Sequence, residues 1–136
     1  SEASALGLRR VVRLKVAGGF HSPIMEPAAE TLSKALTDIA FHPHAFPIWA
    51  NATARPIPPG RERSILADQV VSPVLFSQTV QGMASAGVDL FVHVGPGDVT
   101  AGMARRAAPG SRVVAVSDLG EIATAVEAIG TIPERS

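Results

Sequence analysis

Apolar and polar positions alternate over residues 11–16, where Val12, Leu14 and Val16 flank Arg13 and Lys15; a period of two predicts a half-buried strand. Gly18-Gly19 ends it. From Ile24 onward the period changes, and Met25, Ala28, Ala29, Leu32, Leu36 and Ile39 fall on one face of a helix expected to end near Ala40. Ser22 suits its N-cap and Pro23 its first turn, with Glu26 and Glu30 toward the positive end of the dipole. Residues 43–47 carry two prolines and break the pattern, and Ile48-Trp49-Ala50 is a short extended run. Residues 56–60 (P-I-P-P-G) read as a rigid, poorly helical connector. Residues 61–71 look helical, and a second helix is expected to start at Ser72-Pro73, pass Val80 and Met83, and stop at Gly87.

The last third has the clearest pattern. Residues 88–94 (V-D-L-F-V-H-V) form a largely apolar strand, followed by Gly95-Pro96-Gly97 and a helix to about Ala107. Pro109-Gly110 marks a turn, residues 112–116 (R-V-V-A-V) a second apolar strand, and Asp118 the cap of a helix running to Ile129. Apolar strands alternating with helices predict two adjacent parallel strands joined by a right-handed crossover. Two strands are too few for a sheet covered on both faces. The chain therefore reads as one end of a larger α/β protein, with an apolar patch expected at the free edge of its sheet.

Composition narrows the class. Leu, Ile, Val and Phe supply 37 of the 136 residues, enough apolar surface for a folded domain. Twelve Lys and Arg balance twelve Asp and Glu, so net charge gives no case for nucleic acid or an anionic membrane as partner. Gly, Pro or a charge interrupts every apolar run well short of a membrane span. The first ten residues lack the apolar stretch of a secretory signal, and zero cysteines exclude disulfides, thiolate zinc sites and cysteine nucleophiles. The expected compartment is the cytoplasm.

Four histidines are candidates for chemistry. His42-Pro43-His44 has metal-like spacing, but no thiol or carboxylate at helical spacing accompanies it, so a solvated loop is expected. His93 lies within an apolar strand, where a hydrogen-bonded or edge-facing ring is expected. His21 sits between a glycine-flexed strand end and a helix start, a context that suits either a catalytic base in a cleft or a local capping residue. A base needs a nucleophile, and none of the serines lies in a G-x-S-x-G elbow. Gly95-Pro96-Gly97 lacks both G-x-G-x-x-G and a Walker lysine, and Asp98 would repel an anion there, so it reads as a tight turn. Arg105-Arg106 and the cluster Arg9, Arg10, Arg13 read as solvated surface.

Four blocks in order carry a resemblance. Residues 18–29 (G-G-F-H-S-P-I-M-E-P-A-A) resemble the histidine segment of malonyl-CoA:acyl carrier protein transacylases, and residues 50–54 (A-N-A-T-A) their N-x-x-A turn. Residues 69–74 (Q-V-V-S-P-V) are similar to their glutamine-to-Pro-Val segment, and residues 87–97 (G-V-D-L-F-V-H-V-G-P-G) to their E-V-G-P-G block. The resemblance extends over residues 11–116. His93 stands where the family usually has Glu, Asp98 where it has Lys, and Thr100 where it has Leu.

The resemblance implies the C-terminal portion of such an enzyme. It implies an α/β fold in which residues 1–20 end a ferredoxin-like subdomain and residues 21–136 form the C-terminal part of an α/β-hydrolase-like acyltransferase subdomain. The family's oxyanion glutamine loop, its G-H-S-x-G serine and its malonyl-binding arginine match no position here. By the same resemblance His21 is the catalytic base and Gln69 the residue whose main-chain carbonyl fixes its tautomer. Phe20 and Asn51 fall at substrate-binding positions, with the Phe20 ring favouring malonyl over methylmalonyl. The implied reaction moves malonyl from coenzyme A to acyl carrier protein in fatty-acid synthesis, with malonyl-CoA as substrate and no cofactor. A piece of a polyketide synthase acyltransferase is the nearest alternative. A non-catalytic carrier-protein-binding module is another, favoured by the missing nucleophile and opposed by the His21–Gln69 pair.

Overall fold

The computed structural model describes residues 18–131, together with Gly7 and Val12. The strand expected over residues 11–16 falls, Val12 excepted, outside the described residues, as does the basic cluster Arg9, Arg10, Arg13.

A 3₁₀ turn, Pro23–Met25, leads into α1 (Glu26–Ala35). Ser22 takes the extended N-cap conformation, but its hydroxyl turns back and donates to the Gly19 carbonyl instead of capping the helix. The helix ends five residues before Ala40. The Thr37 hydroxyl donates to the Ser33 carbonyl and the Arg63 guanidinium to the Ile39 carbonyl, 2.6 Å away, so the chain turns off although its apolar spacing continues. Next come two-residue strands β1 (Trp49–Ala50) and β2 (Arg55–Pro56), paired antiparallel with Trp49 opposite Pro56. Pro56 therefore belongs to a strand as well as to the expected connector; in a ladder this short no hydrogen bond depends on its missing N–H. The helix α2 (Glu62–Val71) packs against α1, with Ala29 and Ile65 buried.

The following helix, α3 (Phe76–Ser85), begins later than Ser72-Pro73. Proline disfavours helical geometry in the residue before it, and Ser72 is extended at φ −93° and ψ 150°. The Leu75 N–H then bonds the Asn51 carbonyl at 2.9 Å, tying this segment to the β1–β2 turn. Midway along α3, Gly82 lets the Trp49 indole lie on the helix; a Cβ there would come 2.6 Å from the ring.

Strands β3 (Leu90–Val94) and β4 (Arg112–Val116) pair parallel in continuous register from Leu90–Arg112 to Val94–Val116, as the apolar runs predict. Between them runs α4 (Val99–Ala107), and after β4 a 3₁₀ turn leads into α5 (Ile122–Gly130). Asp118 caps that 3₁₀ turn by accepting from the Gly120 N–H at 2.7 Å, so α5 starts one turn later than expected. Gly95 (φ 141°) and Gly97 (φ 80°) make the β3–α4 turn with torsions that suit only glycine. Odd positions of the sheet, Phe91 and Val113, pack with Val80, Ala104 and Ala108 of the α3–α4 face. Even positions, among them Val94 and Val116, turn to the α5 side. Most of the buried apolar residues are alanines, and no large side chain is fully enclosed among the described residues.

Candidate active site

Among the described residues, His21 is one of two non-glycine residues with positive φ, at 59°. Left-handed backbone costs an ordinary residue about 1–2 kcal/mol, so the surrounding structure imposes it. The strain aims the ring at α2. His21 Nδ1 lies 2.9 Å from the main-chain oxygen of Gln69. A carbonyl only accepts, so Nδ1 carries a proton, and in the neutral ring the lone pair is therefore on Nε2. The ring is exposed, and no described residue bonds its Nε2.

The carbonyl is available because of where helix α2 stops. In a continuing helix the oxygen of residue 69 would accept from the N–H of residue 73. Residue 73 is proline and has no N–H, whereas one position earlier the Ser72 N–H takes the Asp68 carbonyl at 3.0 Å. The Gln69 side chain is engaged too: its Oε1 accepts from the Asn51 N–H at 3.1 Å. One residue thus holds the histidine with its backbone and the β1–β2 turn with its amide.

Three of the four site positions singled out in the sequence, His21, Gln69 and Asn51, are therefore brought together. Phe20 precedes the base with its ring 60 % exposed, lying against Gly18 rather than against the others. Sequence reasoning missed Pro73 as a site residue; the Gln-x-x-x-Pro spacing at a helix end was its signal.

Two of the other histidines have structural partners, and His42 is exposed. His93 accepts at Nδ1 from the Thr100 hydroxyl at 2.8 Å and donates from Nε2 to the Gly97 carbonyl at 3.1 Å, bracing the β3–α4 turn. Thus two of the positions that depart from the usual family pattern, 93 and 100, bond each other. His44 is not in a solvated loop: it is half-buried, with Nε2 3.5 Å from Oε1 of the buried Glu62. Among the described residues no three His, Asp or Glu side chains gather as a metal site. Arg105 and Arg106 are exposed, as expected of a solvated surface, and the Arg105 guanidinium also donates to the Val113 carbonyl at 3.4 Å. No helix among them is long and apolar enough to cross a membrane.

The chain is 31 % identical over 124 residues to the malonyl CoA-acyl carrier protein transacylase of Bacillus subtilis, matching 90 % of this chain and 39 % of that protein. Its fold superposes on the acyl-carrier-protein-S-malonyltransferase of Bartonella henselae with a TM-score of 0.85 at 32 % identity, covering 96 % of this chain and 42 % of the other. Over most of its length the chain is similar to part of the malonyl CoA-acyl carrier protein transacylases. A third match is a malonyl-transacylase solved in complex with its type II polyketide synthase acyl-carrier protein, at a TM-score of 0.83 and 30 % identity, covering 92 % of this chain and 41 % of that one. No family model matches. The chain spans about two fifths of the length of the transacylases it matches, and the α/β class read from its strands and helices is theirs.

Proposed function

We propose that this chain carries the histidine base of a malonyl transfer from coenzyme A to the phosphopantetheine thiol of acyl carrier protein, and that the acyl-accepting serine lies in the part of the transacylase that this sequence does not span. The 2.9 Å contact between His21 Nδ1 and the Gln69 carbonyl carries the reading. It gives an imidazole of fixed tautomer whose free Nε2 faces outward, the state a general base needs.

In the first half-reaction Nε2 takes the serine hydroxyl proton as the serine oxygen attacks the malonyl thioester carbonyl. The tetrahedral adduct expels coenzyme A, which leaves as the thiol with the proton from the imidazolium. In the second half the carrier thiol gives its proton to Nε2, its sulfur attacks the serine ester, and the serine regains a proton on leaving. Gln69 holds the ring throughout and stabilises the imidazolium through its carbonyl dipole. Asn51 secures the Gln69 side chain, and Phe20 crowds an α-methyl, a discrimination of about 1–3 kcal/mol. No cofactor enters this scheme, and the cytoplasm is its compartment.

The test joins this chain to the transacylase portion that it lacks and measures malonyl transfer to acyl carrier protein. The joined protein should be active, and His21→Ala should lower the rate by about 10²–10⁴-fold. Undiminished transfer by that variant would remove His21 from the mechanism. The structural match to a transacylase bound to a polyketide carrier supports a second destination for the malonyl group. Competing fatty-acid and polyketide carrier proteins in the same assay distinguish the two.

A further inference from the structure

The turn that carries His21 is closed by a side chain. Residues 19–22 hold Phe20 and His21 at its centre. The half-buried Ser22 donates its hydroxyl proton to the Gly19 carbonyl at 2.5 Å, and so does what a backbone N–H does in an ordinary β-turn. Its usual task is not needed here. An N-cap serine normally accepts from the second or third N–H of its helix. The first residue of this 3₁₀ turn, Pro23, has no N–H, and the Met25 N–H already bonds the Ser22 carbonyl at 3.0 Å. Gly19 supplies the room: a Cβ there would come 3.3 Å from the Ser22 hydroxyl oxygen and 3.3 Å from Ile24 Cδ1.

The bond spans the residue whose backbone is strained. At φ 59° His21 would relax to negative φ unless the turn were held, and relaxation would swing its ring away from the Gln69 carbonyl. On its C-terminal side Ser22 runs straight into the 3₁₀ turn and α1, both of which pack against α2, the helix that carries Gln69. The hydroxyl ties Gly19, on the other side of His21, to that same frame. The Gln69 carbonyl thus fixes the ring, and the Ser22 hydroxyl fixes the backbone from which the ring projects.

We infer that Ser22 is a positioning residue for the His21 base: through the Gly19 carbonyl it holds the left-handed backbone that sets the imidazole on Gln69. The inference rests on the proposed role of His21. The Ser22 hydroxyl proton is spent on Gly19, so the residue acts through His21 and takes no part in proton transfer itself.

The test uses the chain joined to the rest of the transacylase. It reads malonyl-transfer kinetics beside the nitrogen NMR signature of the His21 ring, in which the Nδ1–H and Nε2–H tautomers are distinct. Ser22→Ala should lower kcat about tenfold, the population change that one neutral hydrogen bond supports, with KM held within about twofold. The Nδ1–H form of His21 should lose population to the Nε2–H form in the same variant. Ser22→Thr keeps the hydroxyl and suits the extended backbone at φ −141° and ψ 167°, so it should restore both readings. In Gly19→Ala the added Cβ presses on the same hydroxyl, so kcat should fall in the same direction. Combining it with Ser22→Ala should cost no more than Ser22→Ala alone. An unchanged kcat or tautomer in Ser22→Ala, no restoration by Ser22→Thr, or fully multiplicative losses in the pair would overturn the inference. Losses that merely track the unfolded fraction in a parallel urea melt would overturn it too. Full transfer by His21→Ala would instead remove the base reading, whereas an unmoved His21 ring in Ser22→Ala leaves that reading in place.

Discussion

At the scale of single residues, the site depends on two backbone facts. His21 sits at φ 59°, where glycine would rest without strain. His21→Gly should therefore be more stable than His21→Ala by about 1 kcal/mol in urea unfolding, the reverse of their order in a helix. Both variants should lack base function. The second fact is the missing N–H of Pro73. Pro73→Ala supplies a donor four residues beyond Gln69, which would compete with His21 Nδ1 for the same oxygen. The expected outcome in the joined enzyme is a drop of about tenfold in kcat with little change in KM, since substrate contacts are untouched and base orientation is lost. Equal kcat in both forms would show that the carbonyl needs no such protection.

At the scale of elements, Gly82 gives the cleanest test of packing. Alanine in a helix interior usually stabilises by about 1 kcal/mol over glycine. Here the added Cβ would meet the Trp49 indole at 2.6 Å, so Gly82→Ala should instead destabilise by about 1–2 kcal/mol, read by thermal unfolding with Trp49 fluorescence as the probe. The elements themselves were unevenly legible in the sequence. The boundaries of β4 were readable to the residue, and those of α4 nearly so, because Gly95-Pro96-Gly97 and Pro109-Gly110 punctuate the chain on either side of α4, and Ser117-Asp118 ends the apolar run of β4. The β1–β2 hairpin was half legible: Ile48-Trp49-Ala50 announces an extended run, but Arg55-Pro56 looks like a connector until its pairing is seen. Helix α1 was read too long because apolar spacing reports which face is buried and says nothing of a guanidinium waiting for the Ile39 carbonyl. At the site, the pairing of His21 with Gln69 was readable only through family resemblance. No local pattern links two residues 48 apart.

At the scale of the whole chain, a core of small residues is the dominant fact. Alanine buries little more than one methyl, worth about 0.8 kcal/mol, so the described core cannot supply much stability. Meanwhile Val94, Leu119, Val126 and Ile129 are each more than half exposed. The 136-residue chain alone should bind a hydrophobic dye, unfold below about 5 kcal/mol of denaturant stability, and release the dye when joined to its missing portion. A dye-silent chain with a steep, high-midpoint urea transition would show that the exposed face is self-sufficient.

The contact between His21 and Gln69 also has a meaning in time. A bond that closes a 48-residue loop forms only after the α1 and α2 segments have docked, whereas local turns form within microseconds. During refolding the imidazole remains a mixture of tautomers until that docking is complete. The Nδ1 proton, followed by nitrogen-resolved NMR, should therefore sharpen last, in step with helix docking rather than with helix formation. Catalytic readiness would then be a clock on the final stage of folding.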